Sequence, residues 1–152
     1  MITLIRDKSN NEDFQGLLKM LDEDLNSRYG VVQASYNQYN KTKDIDTVVI
    51  GYHDNFPVGC GCFKVLDHDT VEIKRMFVRP ESRGSGIAMM ILLEIEKWAI
   101  EKGFSKSILE TGIKQTEAIR FYIKLGYTVI ENYGQYIGNL NSICMRKELL
   151  KL

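Results

Sequence analysis

Arg83, Gly84, Ser85 and Gly86 stand between a β-type run and a strongly apolar segment. The stretch VEIKRMFVRPESRGSGIA, which begins at Val71, reads as a strand, a polar loop and the start of a helix. The first N–H groups of a helix have no partner within it, and the aligned peptide dipoles add about half a positive charge there. Such a start binds anions, phosphates above all. Glycine lets the backbone approach a phosphate closely. A tight turn needs the same glycines, so the loop alone leaves both readings open. Two phosphate patterns are excluded. A P-loop would place Lys-Ser or Lys-Thr after its last glycine, and Ile87-Ala88 follows Gly86. A dinucleotide fingerprint needs a third small residue where Met89 stands, and a shorter turn than Arg79 to Arg83 allows.

A pattern that does fit is Arg83-Gly84-Ser85-Gly86-Ile87-Ala88, read as Arg-x-x-Gly-x-Ala. Downstream, Glu110-Thr111-Gly112 ends a strand, and Glu117-Ala118-Ile119-Arg120-Phe121-Tyr122 opens a helix that closes at Gly126-Tyr127. The pair of motifs resembles the GNAT superfamily of acetyl-CoA-dependent N-acetyltransferases, over about residues 47–149. In that family the second motif usually begins with Asn, and Gln115 stands at that place.

The resemblance implies a chemistry and a set of residues. Acetyl-CoA would be the cosubstrate, with no metal, and its pyrophosphate would lie on Arg83, Gly84, Ser85, Gly86, Ile87 and Ala88. Backbone groups of Met76, Phe77 and Val78 would meet the pantetheine arm and the oxyanion, while Gln115 and Lys124 would add cofactor contacts. An alkylammonium has a pKa of about 10 and is not nucleophilic until it loses a proton. Glu72 is the implied base, although a strand acid can equally be solvated or salt-bridged. Tyr122 is the implied acid for the departing thiolate. A helix tyrosine packed on the sheet, with its hydroxyl on a backbone carbonyl, is the competing reading. Acceptor contacts are implied for the segment after the first helix, with Arg28 and Tyr29, and for the late hairpin, with Tyr133 and Tyr136. Both segments suit a small polar amine. An acyl-CoA-binding module without turnover, or transfer to a protein lysine or N-terminus, stays open.

These residues need elements to position them. Thr3 to Arg6 reads as a short strand, and Ser9 with Glu12 as a capping box. Phe14, Leu17, Leu18, Leu21 and Leu25 recur at helical spacing. Asn26 to Lys43 lacks a period and reads as a loop, with room for a short helix. Thr47–Tyr52, Val58–Leu66 and Thr70–Val78 read as an antiparallel meander, turned at Asp54-Asn55-Phe56-Pro57 and Asp67-His68-Asp69. Helices at Ser85–Lys102 and Gln115–Leu125 alternate with strands at Lys106–Glu110, Tyr127–Glu131 and Ser142–Lys147. That order predicts an α/β (α+β) domain with a mixed, mostly antiparallel sheet of about seven strands and helices on both faces.

The chain has 152 residues and zero formal net charge. Its length suits one domain over residues 1–152, and its balanced charge speaks against a broad nucleic-acid-binding face. No apolar run reaches the ~20 residues of a membrane span, and no signal-peptide core is visible, so a cytoplasmic enzyme is expected. A homodimer is compatible with this reading. Cys60, Cys62 and Cys144 have no zinc-type spacing and read as small buried residues. His53 and His68 lie at turns and read as solvated.

Overall fold

A computed structural model describes residues 1–29 and 44–150, apart from the side chains of Arg28 and Tyr29. Strand β1 (Ile2–Asp7) leads into α1 (Glu12–Tyr29), and a meander follows of β2 (Val48–His53), β3 (Phe56–Val65) and β4 (Thr70–Val78). Then come α2 (Ile87–Glu101), β5 (Lys106–Gly112), α3 (Thr116–Lys124), β6 (Thr128–Ile130) and β7 (Ser142–Glu148). The strands form one sheet in the order β1-β2-β3-β4-β5-β7-β6, antiparallel throughout except for β4 beside β5.

Alternation along the strands feeds two cores. Val49, Phe63, Val71 and Ile73 pack against Ile91, Leu92 and Ile95 of α2 and Tyr122 of α3. Val48, Ile50, Cys60, Cys62 and Phe77 pack on the opposite face against Phe14, Leu17, Leu21 and Leu25 of α1. All three cysteines are buried free thiols, and both histidines are mostly exposed.

Two expectations change. Ser9 and Glu12 do not form the capping box. Asn11 Oδ1 accepts the Phe14 N–H at 3.0 Å, and Asp7 holds the Asn11 amide at 2.8 Å, so Asn11 caps α1. Helix α1 also continues through Asn26 to Tyr29, because no breaker interrupts it before Gly30. The remainder of the expected loop, residues 30–43, lies outside the described residues.

The functional consequence of the sheet lies in β4. Cys60 pairs with Phe77, but Cys62 pairs with Lys74, so Arg75 and Met76 together oppose Gly61. Arg75 has φ +61°, a left-handed conformation that a long side chain rarely adopts. Gly61 makes the bulge fit, since a Cβ there would collide with Met76 Sδ. The Cys60 and Cys62 thiols donate to the carbonyls of Arg75 and Lys74. Strand β4 pairs with β5 only from Thr70 to Glu72, and beyond that point the two strands part.

Candidate active site

Three cavities join end to end beside the parted strands. The outer one, about 360 Å³, lies over Arg83, Gly84, Gly86 and Lys124. The middle one, about 290 Å³, runs along Met76, Phe77 and Val78 under Phe121. The inner one, about 110 Å³, is lined by Lys74, Arg75, Glu110, Thr111 and Tyr136. Val78, Arg83, Ala88 and Phe121 border both outer and middle cavities, and Met76, Gln115, Ala118 and Tyr122 border both middle and inner ones.

The outer cavity is built for an anion. Gly86 is the N-cap of α2 at φ +84°, no side chain caps the helix, and its first turn carries no acid. The N–H groups of that turn therefore stay available. Space above Gly84 and Gly86 is open, so a ligand can reach the backbone. Arg83 Nε donates to Val78 O at 2.8 Å, which pins the loop, and Ser85 Oγ donates to Ser82 O at 2.9 Å. Lys124 borders the same cavity from α3.

At the junction of the middle and inner cavities stands Tyr122, 7 % exposed. Its ring packs edge-on against Phe121 and Tyr127. Its hydroxyl donates to no carbonyl among the described residues, and burial pushes the phenol up, so it stays protonated. Gln115 starts α3 without capping it, and its side chain is left to face the groove.

The inner cavity is polar and charged. Glu72 is 2 % exposed and lies just behind the lining. Its Oε2 accepts the Tyr133 hydroxyl at 2.6 Å, and its Oε1 lies 3.7 Å from Lys74 Nζ. Burial pushes the Lys74 ammonium down and the Tyr133 phenol up. Glu110, on β5, lines the cavity itself. Its Oε2 accepts Ser142 Oγ at 2.6 Å, and burial pushes its carboxyl above the usual range. Arg75 Nη2 donates to Asp22 Oδ1 of α1 at 2.6 Å, while Arg75 Nε is buried with no partner among the described residues.

The structure thus brings Tyr122, Gln115, Tyr136, Met76 and the loop from Arg83 to Ala88 to one groove. Tyr133 reaches Glu72 instead of the lining, stacked edge-on against Tyr136 at 5.5 Å. Arg28 and Tyr29 fall in the last turn of α1, and their side chains lie outside the described residues. Glu110, Lys74 and Arg75 were missed as site residues. Their signal was position: charged residues in apolar strands, at the parting of a parallel pair, where ligands of such sheets bind.

The model of the acetyltransferase (GNAT) family matches residues 14–127. The chain belongs to that family. The "IAA acetyltransferase" of Azospirillum brasilense is 29% identical, over 97% of this chain and 98% of that one. In fold, this GNAT chain matches PaiA N-acetyltransferase from Thermoplasma acidophilum in complex with coenzyme A, with TM-score 0.76, 21% identity, and 97% and 99% of the two chains covered. It also matches a GNAT family acetyltransferase from Elizabethkingia anophelis with acetyl-CoA bound, with TM-score 0.70, 19% identity, and 97% and 98% covered. The chain is a GNAT acyltransferase of the kind that uses acetyl-CoA, and the uncapped start of α2 fits that cosubstrate's pyrophosphate.

Proposed function

We propose that this GNAT enzyme acetylates the primary amine of a small polar acceptor by direct attack in a ternary complex. One observation carries the reading: a continuous groove joins the anion-binding loop to a small polar cavity, with a protonated tyrosine at the junction. Bound acetyl-CoA supplies an activated thioester. The first turn of α2, Arg83 and Lys124 hold the pyrophosphate, and the β4 edge at Met76, Phe77 and Val78 holds the pantetheine. That edge has lost β5 as a partner, so its backbone groups are available to a ligand and to the oxyanion. Glu110 takes the proton from the acceptor ammonium. Glu72 lies behind it, coupled through Lys74 and fixed by Tyr133, and serves as the second carboxylate of the relay. The amine nitrogen bonds to the acetyl carbon, the C–S bond breaks, the Tyr122 hydroxyl protonates the thiolate, and the proton that the nitrogen gives up on becoming an amide restores the phenol. We place the enzyme in the cytoplasm, a reading supported by three buried free thiols.

The test is thiol release from acetyl-CoA across a panel of small amines, peptides and a lysine-rich protein, with products identified by mass. Release with a small amine is expected. Coenzyme binding without release for any acceptor would point to a regulatory module, and release only with peptides or protein would replace the acceptor class.

A further inference from the structure

Glu110 does not stand alone on the cavity wall. Its Oε2 accepts the Ser142 hydroxyl at 2.6 Å, across 32 positions of chain, and its Oε1 carries no hydrogen bond among the described residues. Register explains the contact. Glu110 lies opposite Cys144 in the β5–β7 ladder, and Ser142 lies opposite Gly112. Ser142 is thus the diagonal neighbour of Glu110 on the same face, within reach of a long side chain. Gly112 has no side chain to compete for the hydroxyl. Ser142 is itself held in place. It is 7% exposed. Its N–H donates to Asn139 O at 3.2 Å, and its carbonyl accepts the Asn132 side-chain amide at 3.2 Å. The sheet has little need of the bond, since every residue of β5 from Lys106 to Gly112 already has a partner on β7. Its chemical effect falls on the carboxyl.

We propose that Ser142 is a positioning residue of the acetyl transfer: its hydroxyl holds Oε2 of Glu110, so that the carboxylate stays at the cavity wall with Oε1 left for the acceptor ammonium. This rests on the acetyltransferase reading above, in which Glu110 is the base, and names the group that orients it. A carboxylate in such a wall is free to rotate about its last bond, and burial disfavours its ionised form. One hydroxyl donor acts on both, because it fixes the carboxyl plane and favours the charged state. Burial raises the Glu110 carboxyl, and the Ser142 bond works against that rise. Other groups face the same carboxyl. Lys74 and Arg75 of β4, Tyr136 of the late loop and Tyr122 of α3 line the cavity, with Glu72 behind it and Cys144 opposite on β7. Among them Lys74 favours the ionised form and Glu72 opposes it. Helix α1 contributes only Leu21 and Leu25 to the lining. Tyr133, from the same late loop, treats Glu72 alike, with its hydroxyl 2.6 Å from Oε2. Residues 133–142 therefore bring one hydroxyl to each carboxylate, and Asn132 fixes the stretch between them.

The competing reading is a bond that merely joins two strands. Cutting it would lower stability and leave the pH profile alone. The experiment measures kcat/KM against pH for the full chain, with acetyl-CoA and the small amine that releases thiol fastest in the panel above. Ser142→Ala should keep the thermal shift given by acetyl-CoA while kcat/KM falls about 10-fold, less than the loss of a whole general base. Its acidic limb should move to higher pH, because a carboxylate without its donor ionises later. Ser142→Cys offers a weak donor in nearly the same volume and should follow it. Ser142→Thr keeps the hydroxyl and should keep the limb in place. In a Glu110→Gln background, Ser142→Ala should cost less than about twofold more, since no ionised base remains to be oriented. An unmoved limb in folded Ser142→Ala and Ser142→Cys would overturn the proposal, whatever happens to Tm. So would a limb that moves as far in Ser142→Thr, or a full further loss in the Glu110→Gln background. Should Ser142→Ala fail to fold, Ser142→Cys against Ser142→Thr decides by the same limb. A limb abolished by Glu110→Gln but unmoved by the Ser142 variants sinks this inference alone. No release from any acceptor sinks the acetyltransferase reading and this inference with it.

Discussion

Tyr122 and Glu110 differ in what burial does for them. Burial pushes the Tyr122 phenol up, which suits the donor role proposed for it and not that of a base. Tyr122→Phe removes the donor and leaves the ring packing intact. We expect kcat to fall about 10- to 100-fold while the thermal shift given by acetyl-CoA is retained. Equal losses in binding and turnover would assign the side chain to packing. Burial also raises the Glu110 carboxyl above its ordinary value of 4.5. A base must be ionised, so kcat/KM should rise with pH through that raised pKa, below the separate rise from the amine itself. Glu110→Gln should remove the lower limb. Glu72→Gln, which keeps a partner for Tyr133, should lower the rate and move the limb, because it removes a like charge from the site. A pH profile unchanged by both variants would mean that solvent deprotonates the amine.

At the scale of elements, the groove depends on two left-handed backbone positions. Gly86, at φ +84°, ends the loop and opens α2, and the space over it is free. Gly86→Glu places an anion at the proposed pyrophosphate site and forces a disfavoured backbone. The acetyl-CoA thermal shift should vanish in a folded variant, and an unchanged shift would remove this loop from the binding site. Arg75 holds the other such position without glycine's freedom, at a cost of about 1–3 kcal/mol. Asp22, the two thiols and Gly61 hold it there. The late loop is similarly pinned, since the Asn132 side-chain amide donates to the carbonyls of Tyr136, Asn139 and Ser142. That fixes Tyr136 over the inner cavity and Tyr133 on Glu72.

Across the whole molecule, one buried polar network ties α2 to β5, β7 and the start of β6. Tyr127 donates to Glu96 Oε2 at 2.8 Å, Lys147 donates to Oε1 at 2.8 Å, and Ser107 Oγ meets the Tyr127 hydroxyl at 2.8 Å. Glu96→Ala strands two donors in a buried setting, which costs about 2–3 kcal/mol. For a chain of this size that is a Tm drop of about 5–10 °C by calorimetry. A drop under about 2 °C would mean that the network is replaced by water. Activity per folded molecule should persist, because Glu96 borders none of the three cavities.

Much of this protein was determined by local pattern. Alternation in Thr70 to Val78, helical spacing from Phe14 to Leu25, and the glycines from Gly84 to Gly126 specify elements, their order and two motifs, because each signal acts within one turn or one strand. Those signals carried the family, the sheet and the glycine loop that opens α2. Tertiary structure decided the inner cavity. Strict alternation assigns Lys74 and Arg75 to opposite faces, and only the β4 bulge, set by packing of Gly61 under Met76, brings both to one space. Glu110 reads in sequence as the end of a strand, and it becomes a cavity wall because β4 parts from β5 after Glu72. Tyr133 meets Glu72 across 61 positions of chain. Contacts over that separation depend on where the sheet, the bulge and the late loop come to rest, and no local period encodes them.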